Sequence, residues 1–398
     1  MIILKKIIFC FFSLSLFFTL TLTVYAKEET TTDSNSDSSI SLASSAKSAI
    51  MIEASTGTIL FEKNSHEELP MASMTKMMTM LLIMEALDNG SLTLEEEVTA
   101  SDYASSMGGS QIFLEPGEKM TVNDLLKGIA IGSGNDAAVA MAERLGGTEE
   151  GFVKMMNNKA QELGLKNTHF VNACGLDTDN HYSSSYDMAM IAQELVKHEK
   201  ILEYTGTYED YLRTGTDNSF WLVNTNRLVR FYQGVDGLKT GYTTTAGYCI
   251  TTTAKRNGMR LITVVMNEPT SATRNSETTA MLDYGFNLYT LTKLIKTDTV
   301  VATKKVFLGE TEIVNIVPKT DVNILSLKTS TTPTPQYKYQ INSLKAPLKV
   351  GDVVGQVDII NDGKVTSTVD LTVEEDVPKV NFFINYLRNL KTVITGIF

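Results

Sequence analysis

The sequence predicts an α+β fold, in which an antiparallel sheet packed with helices is followed by a small all-β domain and a C-terminal amphipathic helix. Three observations point to it. Apolar runs of strand length open and close the long first part of the chain, helical patterns fill its middle, and near Leu291 the texture changes to short alternating stretches. With 398 residues, 43% of them hydrophobic and 20% charged, there is ample material for such cores.

The first residues, "MIILKKIIFCFFSLSLFFTLTLTVYAKEE", read as a signal peptide over 1–26: two lysines, an apolar stretch, then Val24-Tyr25-Ala26. The alternative is an uncleaved anchor, which the Val-Tyr-Ala site disfavours. Cys10 would leave with this peptide. The mature chain then keeps Cys174 and Cys249, which read as isolated buried thiols rather than a disulfide scaffold. Residues 27–45, "KEETTTDSNSDSSISLASS", are polar and free of aromatics, and predict a disordered spacer.

A folded domain is expected over 46–291. "SAIMIEASTGTILFEKN" carries two apolar runs around Ser55-Thr56-Gly57, a hairpin signal. A helix follows from Ser73 to Leu87, closed by Asp88-Asn89-Gly90. Further helical patterns run from Val122 to Ile131, Ala137 to Arg144, Glu150 to Leu163 and Tyr186 to Lys197. Strands then return at Val235 to Thr243, Gly247 to Ala254 and Met259 to Met266, an antiparallel meander.

Residues 292–375 predict the β-sandwich-like module, including an Asn361-Asp362-Gly363 turn. Residues 376–398 predict a helix whose apolar face holds Phe383, Ile384, Leu387, Leu390, Ile394 and Phe398, with Lys391 as the exception. It is too polar to span a bilayer and suits a membrane interface, the alternative being a helix docked on the β-module. The formal charge of −11 argues against a nucleic-acid partner.

The chemistry starts from "LPMASMTKMMTML", in which Ser73 and Lys76 interrupt an apolar run. A serine needs a base to act as a nucleophile, and none of the four histidines lies in a recognisable nucleophile or metal motif. A lysine serves if its neutral amine is accessible. Spacing of i, i+3 puts Ser73 and Lys76 on one helix face, near the end where the dipole favours negative charge. The same spacing recurs at Ser44 and Lys47, at the end of the spacer with no helix to orient it, so the motif alone is weak.

Two further elements strengthen it. Ser133-Gly134-Asn135 lies in "IGSGNDAAVAM", a turn between two helices; its hydroxyl suits a proton relay and its carboxamide suits a peptide group, although Ser or Asn there also suits a helix N-cap. Lys239-Thr240-Gly241 lies in "VDGLKTGYTT", on a strand that can pair with an extended substrate while offering a cation and a hydroxyl to a carboxylate. Arg213-Thr214-Gly215 imitates it among loop-like neighbours.

In this order the three elements resemble the penicillin-recognising serine acyl-enzymes, and specifically the low-molecular-mass penicillin-binding proteins that are D-alanyl-D-alanine carboxypeptidases. "GSQIFLEPGEKMTVNDLLKGIAIGSGNDAAVAMAE", "NTHFVNACGLD", "HYSSSYDMA" and "GVDGLKTGYTTTAGYCI" share the likeness. It implies a β-lactamase/penicillin-binding-protein-like, transpeptidase-like catalytic domain that cleaves peptidoglycan pentapeptide stems, binds β-lactam antibiotics covalently and needs no cofactor or metal.

The resemblance also implies roles. Ser73 would attack the carbonyl between two D-alanines, Lys76 would take its proton, and Ser133 would pass a proton to the leaving amine. Asn135 would orient the peptide; Lys239, Thr240 and Gly241, with Arg274, would form the carboxylate end. The N–H groups of Ser73 and Tyr242 would form the oxyanion hole. The protein would be exported to the outer face of the cytoplasmic membrane or the wall, held there by its C-terminal helix. Ala173-Cys174 departs from the family's usual Pro-His or Pro-Asn. No Glu-x-x-Leu-Asn element of a class A β-lactamase is evident, while transpeptidase or endopeptidase action on crosslinks is not separable by sequence.

Overall fold

The structure is a computed structural model and describes residues 42–330, 334–361 and 363–395. The expected signal peptide, residues 27–41 of the expected spacer, Asp362 and Phe398 lie outside the described residues.

Five strands form the main sheet: β1 (Ser48–Glu53), β2 (Ile59–Lys63), β7 (Val235–Thr243), β8 (Gly247–Arg256) and β9 (Met259–Glu268), in the antiparallel order β2-β1-β9-β8-β7. Strand β1 is buried along its whole length, and its alternate residues serve two different cores. Ile50 and Ile52 pack with the central helices, whereas Ala49 and Met51 pack with Met281, Leu282 and Phe286 of the helix after β9. Its near-continuous apolar run is therefore that of a strand covered on both faces.

The central helix α1 (Lys76–Asp88) buries Met77, Met78, Met80, Leu81 and Ile83 on every side, as a helix without a polar face must. Around it lie α2 (Val122–Ala130), α3 (Asn135–Gly146), α4 (Glu149–Glu162) and α5 (Ser185–Leu195); α6 (Ser271–Leu288) covers the other side of the sheet. Thr121, Thr148 and Ser184 cap α2, α4 and α5 by accepting backbone N–H groups, which explains why these helices were legible from sequence. Two short hairpins complete this part: β3 (Glu97–Thr99) with β4 (Lys119–Thr121), and β5 (Glu209–Leu212) with β6 (Phe220–Val223). Neither is in the sequence reading.

Residues 42–45 differ from the expected spacer. Ala43 is buried, Ser44 Oγ and Ser45 N donate to Glu277 at 3.0 and 2.8 Å, and Lys63 Nζ donates to the carbonyls of Ala43, Ser44 and Ala46. A polar segment is ordered here because a carboxylate and an ammonium saturate its backbone.

After α6 the chain passes directly into β10 (Tyr289–Ile295), which pairs with β13 (Val322–Leu327). A six-stranded sheet accompanies them, in the order β14 (Gln336–Ile341), β16 (Gly355–Asn361), β17 (Lys364–Val373), β12 (Ile313–Pro318), β11 (Ala302–Phe307), β15 (Leu344–Lys345). Val322 and Ile324 share one core with Ile316, Val357, Ile359 and Leu371, so the module is a small double layer.

The terminal helix α7 (Phe382–Thr395) starts later than expected from 376. Val377 and Lys379 instead bridge Leu348 and Gly309, since Pro378 cannot sit inside a helix and biases the residue before it towards extended structure.

Candidate active site

Ser73 lies in a 3-10 turn (Ala72–Thr75) that leads into α1, rather than in the α-helix itself. Ala72 is held at a φ of 48°, a left-handed conformation costly for a residue with a side chain. The hydroxyl of Thr75 donates to the Ala72 carbonyl at 2.8 Å and meets His181 Nε2 at 2.8 Å. His181 Nδ1 accepts from the Val171 N–H, so its proton sits on Nε2 and is donated to Thr75. Burial pushes this imidazole down to about 4. His181 is thus a neutral strut beneath the turn, in keeping with the absence of any histidine motif.

The Lys76 side chain is completely buried. Its Nζ donates to Ser73 Oγ at 3.0 Å, to Asn135 Oδ1 at 2.6 Å and to the Cys174 carbonyl at 2.7 Å. Burial pushes its ammonium down to about 8, with the neighbouring Cys174 and Asp136 pulling the other way. At neutral pH a useful fraction of the amine is therefore free, about two hundredfold more than for an exposed lysine near 10.4.

Ser133 and Asn135 arrive on the turn between α2 and α3. Ser133 has a φ of 62° and Gly134 occupies the N-cap without a side-chain cap, so neither Ser133 nor Asn135 is the helix cap that composition allows. Asn135 instead bridges Lys76 and the Gly108 carbonyl, at 2.7 Å from its Nδ2. The neighbouring Asp136, also fully buried, accepts the N–H groups of Ile112, Leu114 and Ala137 and ties the 110–114 loop to this turn.

Strand β7 forms the facing wall. A Cβ on Gly241 would lie 2.7 Å from the Met71 carbonyl and 3.2 Å from Ser73 N, so only glycine lets the strand approach the serine this closely. On the same strand Lys239 is buried and Thr240 Oγ1 donates to Thr225 Oγ1 at 2.7 Å. Arg274, in the first turn of α6, is also buried, and its guanidinium donates to Asn275 Oδ1. Lys239 is held well below the ordinary lysine range by burial, then by the charges of Lys76 and Arg274. Three cationic groups sharing a desolvated site repel one another, and an incoming carboxylate relieves that repulsion.

Ser73, Ser133, Thr240, Gly241, Tyr242 and Arg274 line one cavity of about 520 Å³. Lys76, Asn135 and Lys239 stand behind this lining. The sequence reading missed Ser110, Arg227 and Tyr248, which line the same cavity. Ser110 and Arg227 reach the site from segments distant in sequence, while Tyr248 sits opposite Tyr242 in the β7–β8 register. Cys174 contributes its carbonyl, while its thiol is buried; Cys174 and Cys249 are both unpaired. Arg213-Thr214-Gly215 lies just after β5, where Arg213 binds Glu118 outside the cavity.

A serine held against a buried lysine, beside a Ser-Gly-Asn turn and a Lys-Thr-Gly strand, is the arrangement of a serine acyl-transfer enzyme. The model of the D-alanyl-D-alanine carboxypeptidase family matches residues 31–270, and that of the penicillin-binding protein 5 C-terminal domain matches residues 289–379. The chain is 51% identical over 348 residues to D-alanyl-D-alanine carboxypeptidase DacF of Bacillus subtilis, covering 87% of this chain and 89% of that one. It is 35% identical over 356 residues to DacA of Escherichia coli, covering 86% and 87%. Penicillin-binding protein 5 of Haemophilus influenzae superposes with a TM-score of 0.67 at 32% identity, over 84% of this chain and 98% of that one. The chain belongs to the D-alanyl-D-alanine carboxypeptidase family.

Proposed function

We propose that the protein removes the terminal D-alanine from peptidoglycan pentapeptide stems through an acyl-enzyme on Ser73. The observation that carries this reading is the fully buried Lys76, with a pKa near 8 and its nitrogen 3.0 Å from Ser73 Oγ.

In its neutral form Lys76 takes the Ser73 proton as Oγ attacks the carbonyl between the two D-alanines. The oxyanion forms between the N–H groups of Ser73 and Tyr242, a type of contact worth about 3–4 kcal/mol in the transition state. The C–N bond breaks as a proton passes from Lys76 through Ser133 to the leaving amine, and free D-alanine departs. Water then cleaves the ester by the same proton relay. Asn135 aligns the peptide, and Lys239, Thr240 and Arg274 hold the terminal carboxylate.

A β-lactam acylates Ser73 in the same way. No carboxylate is among the residues lining the cavity, which supports a long-lived penicilloyl-enzyme over β-lactamase turnover. Fluorescent penicillin should label the wild type and not Ser73→Ala, and the purified protein should release D-alanine from a pentapeptide ending in D-Ala-D-Ala. An unlabelled wild type, or rapid hydrolysis of a chromogenic cephalosporin, would refute the reading.

Export and peripheral membrane attachment belong to the same proposal. No helix among the described residues is long and apolar enough to cross a membrane. Helix α7 leaves Phe382, Phe383, Ile384, Leu387 and Leu390 exposed while Arg388 holds the Gly309 and Glu310 carbonyls, which favours insertion of the apolar face into an interface. Ending the chain after Val380 should release the protein from membranes without lowering its melting temperature; continued membrane binding would exclude α7 as the anchor.

A further inference from the structure

The chain has one tryptophan, Trp221, and it is 54% exposed. Tryptophan is a highly buried residue on average, so an exposed one beside a cleft calls for a reason. Trp221 lies opposite Tyr211 in the β5–β6 register, and Tyr211 is 50% exposed. By the two-residue period of a strand, Trp221 shares the outer face of the hairpin with Val223, which lines the catalytic cavity. The aromatic pair thus begins about 7 Å along the strand from the cavity wall.

The hairpin is rigidly held. Its inner residue Leu222 packs so closely on Gly132, next to Ser133, that a Cβ there would lie 2.8 Å from Leu222 Cδ2. Arg213 binds Glu118 at 2.6 and 3.0 Å and Lys127 binds Asp210 at 2.9 Å, so hairpin, loop and helix α2 are tied together. Two flat rings held on such a support lose little entropy on binding.

We propose that Tyr211 and Trp221 form a carbohydrate platform that stacks on sugar rings of the wall polymer. A pyranose offers a flat C–H face to an aromatic ring and hydroxyls to the polar turn beyond, where Thr214, Thr216, Asn218 and Ser219 lie. Acidic Glu209, Asp210 and Asp217 flank the pair, which disfavours an anionic lipid surface. The position also says which sugars bind. On the reading of the site given above, the stem terminates at Lys239, Thr240 and Arg274, and Thr225, just beyond β6, bonds Thr240. The platform therefore lies beyond the stem's end. On that same reading the stem's own sugar lies away from the hairpin, so the platform takes a neighbouring glycan strand and favours the polymeric wall over free stems.

The lone tryptophan makes the test direct. Titrating the full chain with a peptide-free oligosaccharide of β-linked N-acetylhexosamine should give a saturable change in tryptophan fluorescence, retained in Ser73→Ala. The double variant Tyr211→Ala, Trp221→Ala should release D-alanine from a soluble pentapeptide at the wild-type rate, yet bind and trim isolated wall about tenfold less well, with Trp221→Phe restoring most of the loss. No fluorescence response to the oligosaccharide, a response only to anionic phosphatidylglycerol vesicles, or undiminished trimming of wall by the double variant would overturn the platform. Failure of penicillin labelling alongside a normal fluorescence response would instead refute the acyl-enzyme reading and leave the platform standing.

Discussion

The chain carries the spacing Ser-x-x-Lys at Ser44–Lys47 and again at Ser73–Lys76, and the two regions share nothing else. Lys47 is half-exposed and paired with Glu67 at 2.8 Å, while Ser44 is spent on Glu277. Lys76 is completely buried, and three polar acceptors, none of them a carboxylate, take its three N–H bonds. A carboxylate partner would have kept the lysine charged; burial with neutral acceptors lowers its pKa to about 8. The difference teaches that reactivity in this motif comes from what surrounds the lysine, not from its distance along the chain.

The largest expected effect breaks that comparison outright. Lys76→Ala should slow penicillin acylation by at least about 10³-fold, through loss of the base and of an organised cavity, whereas Lys47→Ala should leave it unchanged. Equal losses in a stopped-flow acylation assay would remove the distinction drawn between the two sites.

A second test sharpens it through pH. With neutral Lys76 as the proposed base, acylation should rise about tenfold per pH unit below 8 and level off above it. Asp136 raises the Lys76 pKa, so Asp136→Asn should move the midpoint of this profile to lower pH. A midpoint unchanged or moved upward would show that Asp136 does not act on the lysine.

The smallest effect concerns the Ser44 side. Ser44 and Ser45 bind Glu277, and Glu277 neighbours the buried Glu268, pushed up to about 8 by burial, then by the adjacent Glu277 carboxylate. A carboxyl raised in the folded state binds more protons folded than unfolded between its ordinary value and about 8. Its contribution therefore falls as pH rises through that window and is fully lost above it. Glu268→Gln should raise the melting temperature at pH 9 more than at pH 5; a larger gain at pH 5 would contradict a raised Glu268 carboxyl.

Most of the regular structure was legible because caps and periodicity agree locally, as in α2, α4, α5 and the β7–β9 meander. The β5–β6 hairpin was not, since its strands have four residues each and a Gly- and Asn-containing turn that reads as loop. The ordered segment at 42–45 was missed for a different reason. Its composition is that of a spacer, and only Glu277 and Lys63, far away in sequence, make it worth ordering.

By itself the sequence determined which groups are available: Ser73, Lys76, Ser133, Asn135, Lys239, Thr240 and Arg274, each in a motif or family position that can be read locally. Tertiary structure alone decided what those groups can do. The Asn135 and Cys174 acceptors on Lys76, the Gly241 approach to Ser73, the entry of Ser110 and Arg227 into the cavity and the exposure of Trp221 all depend on contacts between distant segments. A lysine's pKa is set by how much water and charge surround it, and in this chain that environment exists only once the two walls of the cleft have closed around it.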